Sequence, residues 1–545
     1  MTNATVAKLT TLALTLSACE VVDWNFSWGA GSASSSSSAS STGSAMLCVP
    51  GAMKSCYDGP AGTEGVGLCK AGAEACAADG MSWGVCAGEV LPVPMEDCAS
   101  GQDQDCDGMV KPCKGTLLWA KDFGNASGLD FAGATCVVVD ASGNVLVGGL
   151  FAGTVDFGGG PFTSSGDASI FLVKLDATST HVWSEAFDVP AAAVTGIVVD
   201  ANGDVAITGY FLGVVDFGGG VLTALDGEDV FVAKLDASGG HLWSKSFGGV
   251  DDQTAAGIAI QADGNVLVTG TFSGSVDFGG GTVTSAGGQD IFVASLDTTG
   301  GYVWAKRFGD ASDQQGASIA TGETGSIFIT GAMMGSVDFG GGALTSAGGQ
   351  DIFVANLDTS GGYVWARRFG DTSDQQSASV AAGKDGSVFI TGAITGKADF
   401  GGPCGVLASA GGQDIFVASI DKLGNCLWAE RYGNAVDQQG ASIATHVGGE
   451  VVLTGAMRGQ TDFGDGPLAS VGGQDIFAAK LDADGGYLWA KRFGDAAAQS
   501  GTAIATDTAG NTFVVGNFNG SVDFGANTLL TSAGGQDVFI AKFGP

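Results

Sequence analysis

The chain has 545 residues, of which 45% are apolar, with 94 glycines and a formal net charge of −35. This apolar fraction excludes overall disorder. The excess of carboxylates excludes nucleic-acid binding, which needs basic surface against phosphates, and suits an exported protein or one that holds divalent cations.

The N-terminus carries an export signal. Lys8 precedes an apolar run from Leu9 to Ala18, which is too short to span a bilayer and is typical of a secretory signal. The run ends in the letters LSAC (residues 16–19), which resemble the lipobox of bacterial lipoproteins. The resemblance implies that residues 1–18 are removed and that Cys19 is lipidated; an ordinary signal peptide is the alternative. We expect an exported protein in the bacterial cell envelope, at the outer membrane or cell surface, with the lipid as its only membrane contact.

Residues 19–45 comprise the lipidated cysteine and a tether, of which residues 29–45 are almost entirely Ser, Ala and Gly, with almost nothing to bury. This composition predicts a flexible tether that lifts the folded domains off a membrane surface.

Residues 46–114 form a small Cys-rich module. The spacings of its cysteines lack the paired CxxC pattern of zinc ribbons, and an exported chain meets oxidising conditions. We therefore expect disulfides, whose connectivity the spacing leaves open. The stretches CYDGPAGTEGVGLCKAG and WGVCAGE resemble the Cys-rich modules of bacterial surface lipoproteins. The eight disulfide candidates in this module are Cys48, Cys56, Cys69, Cys76, Cys86, Cys98, Cys106 and Cys113.

A DxDxDG run at residues 103–108 resembles the first half of an EF-hand or dockerin calcium loop. Carboxylates at alternate positions can converge on one cation, and the glycine permits the turn that follows. Asp103, Asp105 and Asp107 are therefore metal-ligand candidates, and Ca²⁺ is the only cofactor candidate. Lys114 stands where the EF-hand pattern needs a bidentate glutamate, and the alternative is an acidic turn between disulfides.

Residues 115–545 are built from seven similar units. Tryptophans at 119, 183, 243, 304, 365, 428 and 489 recur at steps of 60 to 64 residues, and seven Asp-Phe-Gly turns keep the same step. Each unit holds four short apolar runs bounded by Gly or Asp turns, such as GASIATG, SIFITGAM, DIFVANLD and YVWARRFG, which are typical of strands. The absence of helical periodicity between the runs favours antiparallel sheets.

Seven units of four strands predict an all-β fold, a seven-bladed β-propeller. The pattern GNVxxTG, DFGGG, DxFVAKLD and a following Trp resembles the bacterial β-propeller repeats often called SBBP, over residues 115–545. The segment opens with a lone Trp-type strand (116–124) and ends at 537–543 without the strand that should follow. We expect the N-terminal strand to complete the last blade and close the ring.

Basic residues concentrate on the Trp strands. If these strands are outermost, their charges protect exposed edges from pairing with other chains; a girdle that binds a partner is the alternative. The nine residues are Lys121, Lys245, Lys306, Arg307, Arg367, Arg368, Arg431, Lys491 and Arg492.

Aspartates recur in the links that should emerge on one face of the ring. One interpretation is that they accept hydrogen bonds from turn amides, as Asp does beside Gly. The other is a face that binds cations, sugars or a basic partner. The candidates for this binding face are Asp290, Asp310, Asp313, Asp351, Asp371, Asp374, Asp414, Asp437 and Asp475.

One unit departs from its sisters by carrying Cys404 and Cys426. Two departures in one repeat predict a local disulfide, with two inert thiols as the alternative. Cys136 lies in the first strand of its unit and is expected to be a buried, unpaired small residue.

Catalytic motifs are absent from the sequence. His181 and His241 stand where sister units have tyrosine, and neither a nucleophile elbow nor a phosphate-binding glycine fingerprint occurs;. We expect a non-enzymatic, monomeric surface lipoprotein whose propeller is a binding or adhesion scaffold for a protein or polysaccharide. The alternative is a carbohydrate-active propeller enzyme that uses paired carboxylates.

Overall fold

The computed structural model describes residues 47–92, 103, 106, 108, 115–124, 131–166, 168–446 and 448–545. The chain divides into two compact units, with the boundary between residues 110 and 111. The export signal, the lipidation site Cys19 and the tether lie outside the described residues and stay predictions. Within the described ranges, no helix is long and apolar enough to cross a membrane.

The first unit is a small disulfide-linked module. Its strands Met53–Cys56 and Gly72–Ala75 pair in antiparallel fashion. The disulfides join Cys48 to Cys76, Cys56 to Cys86 and Cys69 to Cys106. The expectation of disulfides is thus confirmed for six of the candidates, whereas Cys98 and Cys113 lie outside the described residues.

The second unit is the predicted propeller, with four-stranded sheets in which strands A, B, C and D are neighbours in that order. The A strands are Ala132–Val139, Ala191–Val199, Gln253–Ile260, Gln314–Thr321, Gln375–Ala382, Gln439–Thr445 and Gln499–Thr506. The B strands are Val145–Phe151, Val205–Leu212, Val266–Phe272, Ile327–Met333, Val388–Ile394, Val451–Met457 and Thr512–Phe518. These lists run from blade 1 to blade 7.

The outer strands follow in the same blade order. The C strands are Ala168–Leu175, Asp229–Leu235, Asp290–Leu296, Asp351–Leu357, Asp414–Ile420, Asp475–Leu481 and Asp537–Phe543. The D strands of blades 1 to 6 are His181–Val189, His241–Phe247, Tyr302–Phe308, Tyr363–Phe369, Cys426–Tyr432 and Tyr487–Phe493. A short 3-10 helix, Lys384–Gly386, lies in the A to B turn of blade 5.

The D strand of blade 7 comes from the other end of the propeller. Leu117–Phe123 pairs antiparallel with the final strand Asp537–Phe543. At the ring's inner side, Thr502 of blade 7 donates its hydroxyl to the Ala134 carbonyl of blade 1 at 2.8 Å. The predicted closure by the N-terminal strand is therefore confirmed.

The link between the B and C strands forms a small second hairpin in every blade. In blade 4, Asp338 Oδ1 accepts the amides of Gly340 at 2.7 Å and Gly342 at 3.0 Å, and Phe339 packs on the buried Phe353. The paired strands are Thr154–Asp156 with Pro161–Thr163, Val214–Asp216 with Val221–Thr223, Ser275–Asp277 with Thr282–Thr284, Ser336–Asp338 with Ala343–Thr345, Lys397–Gly401 with Gly405–Ala408, Gln460–Asp462 with Pro467–Ala469, and Ser521–Asp523 with Leu529–Thr531.

The hydrophobic core lies between neighbouring blades. Ile291 and Val293 of blade 3, for example, share one buried cluster with Ile327, Ile329 and Phe353 of blade 4. Packing on both faces of each sheet explains why the C strands are apolar at consecutive positions.

The repeated tryptophans join adjacent blades. Six indole N–H groups on the D strands donate to a carbonyl in the C to D turn of the next blade, and Trp243 does so to Thr298 at 2.9 Å. The seventh, that of Trp489, is buried without a hydrogen-bond partner among the described residues. The tryptophans that make this bond are Trp119, Trp183, Trp243, Trp304, Trp365 and Trp428. The period seen in the sequence is thus the period of the inter-blade contact.

Candidate functional site

Four of the aspartates proposed for a binding face are buried. Asp290, Asp351, Asp414 and Asp475 begin their C strands with no exposed surface. Each Oδ2 accepts the amide of the residue four positions earlier, as Asp290 does from Ala286 at 2.8 Å. The binding-face interpretation is therefore wrong for these four residues, and the turn-capping interpretation is confirmed.

The same carboxylates hold arginines of the adjacent D strand. Arg307 Nη1 lies 2.5 Å from Asp290 Oδ2, and Arg431 and Arg492 lie 2.6 Å from Asp414 and Asp475. Arg368 pairs with Asp351 in the same way. These four arginines were expected to protect strand edges; instead each is only 25% to 31% exposed and neutralises a buried carboxylate.

Glycine follows the D strand because of this carboxylate. A Cβ on Gly309 would come within 2.2 Å of both Asp290 Oδ1 and Gln314 Oε1. Only glycine leaves that space to the carboxylate.

The remaining binding-face candidates cap the loops that connect one blade to the next. Asp310 Oδ1 accepts the amide of Ser312 at 2.8 Å, and its Oδ2 accepts the amide of Ser336 at 2.7 Å. Asp371 accepts the corresponding amides of Ser373 and Lys397. These contacts lower the pKa of Asp371, because they favour its charged form over the opposing effect of burial;.

The exposed members of this group are Asp313, Asp374 and Asp437. Each accepts one backbone amide at 3.0 Å, from Gln289, Gln350 and Gln413 respectively. They therefore keep surface for a ligand, and a binding role for them stays a proposal.

The metal-ligand candidates are described only in part. Asp103 is buried, its Oδ2 accepts the Gly108 amide at 3.0 Å, and its Oδ1 has no hydrogen-bond partner. Asp105 and Asp107 lie outside the described residues. Among the residues that are described, no group of three or more His, Cys, Asp or Glu side chains is arranged to hold a metal ion.

The cysteine predictions within the propeller are confirmed. Cys404 and Cys426 form a disulfide that ties the blade 5 hairpin to its D strand. Cys136 is unpaired and buried, and burial raises the pKa of its thiol to about 12.

The histidines of the D strands are structural. His181 Nε2 lies 3.0 Å from Ser184 Oγ and His241 Nε2 lies 3.1 Å from Ser244 Oγ. Each ring lies against a glycine of the hairpin turn, where Tyr302 lies in blade 3. The prediction that these two are strand residues is confirmed.

On the face of the ring where the A to B and C to D turns emerge, some blades carry a buried ion pair between lysine and aspartate. Lys234 Nζ lies 2.7 Å from Asp200, and Lys174 lies 2.9 Å from Asp140. The Lys174 ammonium also donates across the blade boundary to the Ala237 carbonyl at 3.4 Å. A lysine at this C-strand position therefore fills the space between two blades.

Blades 3, 4 and 5 carry Ser295, Asn356 and Ser419 in place of that lysine. A cleft of about 930 Å³ opens across blades 2, 3 and 4, and Lys234 of blade 2 is among the residues that line it. A cleft of this size is in the range that holds small ligands.

The cleft combines an aromatic ring, carboxylates and an unsatisfied amide. Trp243, Gln261, Asp263 and Glu323 all line it. Gln261 is 5% exposed; its Nε2 donates to the Thr359 carbonyl at 3.3 Å, and its Oε1 is buried without a hydrogen-bond partner. An orphan acceptor of this kind is costly unless a donor reaches it.

A second cavity, of about 260 Å³, lies where the seven A strands meet. Its lining repeats one small residue per blade, such as Thr195, Ala256, Ala317 and Ala378, each at a bulge in its strand. This repetition makes it a packing feature of the ring rather than a blade-specific site.

The residues of the cleft were missed by sequence reasoning. The signal that could have found them is the change from Asp140 and Asp200, in the A to B turns of blades 1 and 2, to Gln261 in blade 3.

No protein-family model matches the chain. Over 236 residues, which are 41% of this chain and 24% of the other, it is 24% identical to the regulatory protein FlaEY of Caulobacter vibrioides. Over 511 residues it is 21% identical to an uncharacterized WD repeat-containing protein of Acanthamoeba polyphaga mimivirus, covering 74% of this chain and 36% of that one. The chain thus spans only 24% to 36% of the length of these curated relatives.

Among solved structures, the WD40 domain of Neurospora crassa Pan2 is similar with a TM-score of 0.39 and 9% identity, over 78% of this chain and 97% of that one. A catalytically inactive virginiamycin B lyase from Staphylococcus aureus, in complex with quinupristin, has a TM-score of 0.38 and 10% identity, over 78% and 99% of the two chains. The seven-bladed fold rests on the strand pairing described above, and it is compatible with a non-catalytic binding scaffold.

Proposed function

We propose that the protein is an exported, lipid-anchored surface protein whose propeller binds a polysaccharide in the cleft across blades 2, 3 and 4. The observation that carries the proposal is Gln261, which lines this cleft and whose buried Oε1 has no hydrogen-bond partner in the described part of the chain. Sugar hydroxyls supply the donors that such an acceptor needs. An indole ring beside carboxylates, as at Trp243, suits a ligand with both apolar and polar faces.

Charge and exposure in the cleft favour a neutral or hydroxyl-rich ligand over an anionic one. Asp263 and Glu323 are exposed on its rim. Burial and the neighbouring Asp200 carboxylate raise the pKa of Asp204, another lining residue. A polyanion would meet like charge here, whereas neutral sugars can donate hydroxyls to these carboxylates.

A glycan array tests the proposal. The probe is the chain without residues 1–18 and with Cys19→Ser, so that it stays soluble. We expect binding to particular oligosaccharides, and at least about tenfold weaker binding after Asp263→Asn or Glu323→Gln, which corresponds to about 1.4 kcal/mol. Asp385→Asn is the matched control, because Asp385 holds the turn position of Asp263 in blade 5 and does not line the cleft. Equal losses in all variants, or none, would contradict the assignment.

Calcium is proposed as a stabilising ion of the Cys-rich module. The support is the DxDxDG resemblance together with the buried, unpartnered Asp103 Oδ1, since a carboxylate oxygen of this kind is a ligand that Ca²⁺ prefers. Added Ca²⁺ should raise the melting temperature of the wild-type chain and leave that of Asp103→Asn unchanged. An equal response of both proteins would remove Asp103 from the site.

A further inference from the structure

The carboxylate–guanidinium pairs of blades 3 to 6 lie on the face where the B to C links emerge. Blade 2 departs from this pattern. Asp229 holds the strand position of Asp290, since it pairs with Phe211 as Asp290 pairs with Phe272. The residue opposite Phe231 on the D strand is Ser246, where blade 3 has Arg307 opposite Phe292. Blade 2 therefore keeps the aspartate and lacks the arginine.

Asp229 remains a buried carboxylate without a cation. It is 2% exposed, and its Oδ2 accepts the Leu225 amide at 3.2 Å but lacks the guanidinium that Asp290 Oδ2 holds. Its Oδ1 has no hydrogen-bond partner within the described ranges, as is also true of Asp290 Oδ1. Among the described residues, none carries a positive charge within 4.0 Å of it. Burial raises the pKa of Asp229, the effect expected of a carboxylate that lacks a counter-charge;.

The surface around Asp229 carries more carboxylates than in blade 3, although Gly249 stands in place of Asp310. Asp226, Glu228 and Asp251 replace residues that are uncharged in blade 3, namely Gly287, Gln289 and Ser312. The two turns that carry them touch, since a Cβ on Gly227 would lie 3.0 Å from the Asp251 carbonyl. Burial and the charge of Asp252 raise the pKa of Glu228, so the cluster is short of positive charge.

The same part of blade 2 exposes apolar side chains. Leu225 is 66% exposed and Val250 is 72% exposed, at positions where blade 3 has alanine. On the adjoining hairpin, Val214 and Val221 are 48% and 63% exposed. Blade 3 instead closes its hairpin with a hydrogen bond between the Ser275 and Thr284 hydroxyls at 2.9 Å.

We propose that this blade 2 patch, formed by Val214, Val221, Leu225, Asp226, Glu228, Asp229, Val250 and Asp251, docks a basic segment of a partner protein. An arginine of that segment pairs with Asp229 as Arg307 pairs with Asp290. The aliphatic residues next to that arginine pack on Leu225 and Val250. The sister blades support this choice of occupant, because they show which group this aspartate binds. By strand direction the patch lies on the face opposite the cleft, so loss of glycan binding leaves this proposal standing.

The test uses the whole chain with Cys19→Ser and without residues 1–18. A fluorescein-labelled peptide of repeating Val-Arg-Leu units and its citrulline counterpart are titrated at low ionic strength, where surface electrostatics are strongest, and anisotropy is read. We expect the arginine peptide to bind at least about tenfold more tightly than the citrulline peptide. Ser246→Arg should weaken that binding by a similar factor and raise the melting temperature, because the introduced guanidinium rebuilds the pair of blade 3.

Ala186→Arg is the matched control, because Ala186 holds the arginine position in blade 1, where Ser169 replaces the aspartate. It should leave peptide binding unchanged. Leu225→Ala and Val250→Ala restore the residues of blade 3 at exposed positions and should weaken binding in a folded protein. Equal affinity for the arginine and citrulline peptides, or retained affinity in Ser246→Arg, would overturn the proposal. Displacement of the peptide by Ca²⁺ that depends on Asp229 would also overturn it, in favour of a cation site.

Discussion

At the scale of single residues, the aspartate that opens the C strand of blades 3 to 6 does more than cap a turn. It neutralises an arginine on the next strand, and both side chains lose most of their contact with water. The partners are 17 residues apart in four blades, from Asp290 and Arg307 onward. That recurring spacing was visible in the sequence, but which of two adjacent basic residues turns inward depends on strand register. The pairing could therefore not be assigned from composition alone.

Replacing Arg307 by methionine should lower the free energy of unfolding by about 2–3 kcal/mol, since it leaves the Asp290 carboxylate buried and unpaired. The measurement is urea unfolding at neutral pH. Lys306→Met, one residue earlier on the exposed side of the same strand, should change the value by less than about 0.5 kcal/mol. Similar effects of the two substitutions would show that the ion pair does not stabilise the blade.

The buried lysine pairs predict a pH dependence. Burial would raise the pKa of Asp200, but the hydrogen bonds from Lys234 and from the amides of Asn202 and Asp204 outweigh it and hold the pKa below its usual value. A lowered pKa in the folded state stabilises the protein above the unfolded pKa, at about 3.9, and that stability is lost as the pH falls through the folded pKa.

Asp200→Asn should therefore cost stability near pH 7 and progressively less as the pH falls below about 4. Asp385→Asn serves as the control, because Asp385 is an exposed residue in the corresponding turn of blade 5. It should leave the free energy of unfolding unchanged across this pH range. A constant difference between Asp200→Asn and wild type across this range would contradict the assigned pair.

At the scale of strands and turns, the sequence predicted the A to D strands well because each is a run of apolar residues bounded by Gly or Asp. It missed the small hairpins, whose strands are mostly three residues long, as in Ser336–Asp338, and so fall below the length at which alternation is visible. The cleft was missed for a different reason. Its lining residues come mostly from the A to B and C to D turns of three blades, and which turns enclose a cleft depends on how the blades pack.

The disulfide of blade 5 offers a test at this scale. Cys404 and Cys426 are separated by 22 residues, and closing a loop of this size in the unfolded chain corresponds to about 3 kcal/mol. Replacing both by alanine should lower the free energy of unfolding by up to this amount. Cys136→Ala, at the unpaired cysteine, controls for the loss of a thiol. No difference between the double variant and wild type under oxidising conditions would show that the bond does not stabilise the blade.

At the scale of the whole molecule, the first strand of the propeller, Leu117–Phe123, closes the ring by pairing with its last strand, Asp537–Phe543. Deleting residues 117–123 from the full chain should lower the melting temperature and expose the final strand as an unpaired edge, which favours association with other chains. Thermal unfolding and size-exclusion chromatography measure both effects. Deleting seven residues of the tether, 33–39, is the control of equal length. A monomer of unchanged melting temperature after the strand deletion would contradict closure by this strand.

The central claim, a non-catalytic propeller that binds a polysaccharide where its blades differ, is tested most directly by a structure with the best oligosaccharide from the array, incubated with the protein for days. The account predicts an intact ligand in the cleft of blades 2, 3 and 4, against Trp243, with one hydroxyl donating to Gln261 Oε1. A cleaved ligand, or an intact one bound elsewhere on the ring, would contradict it.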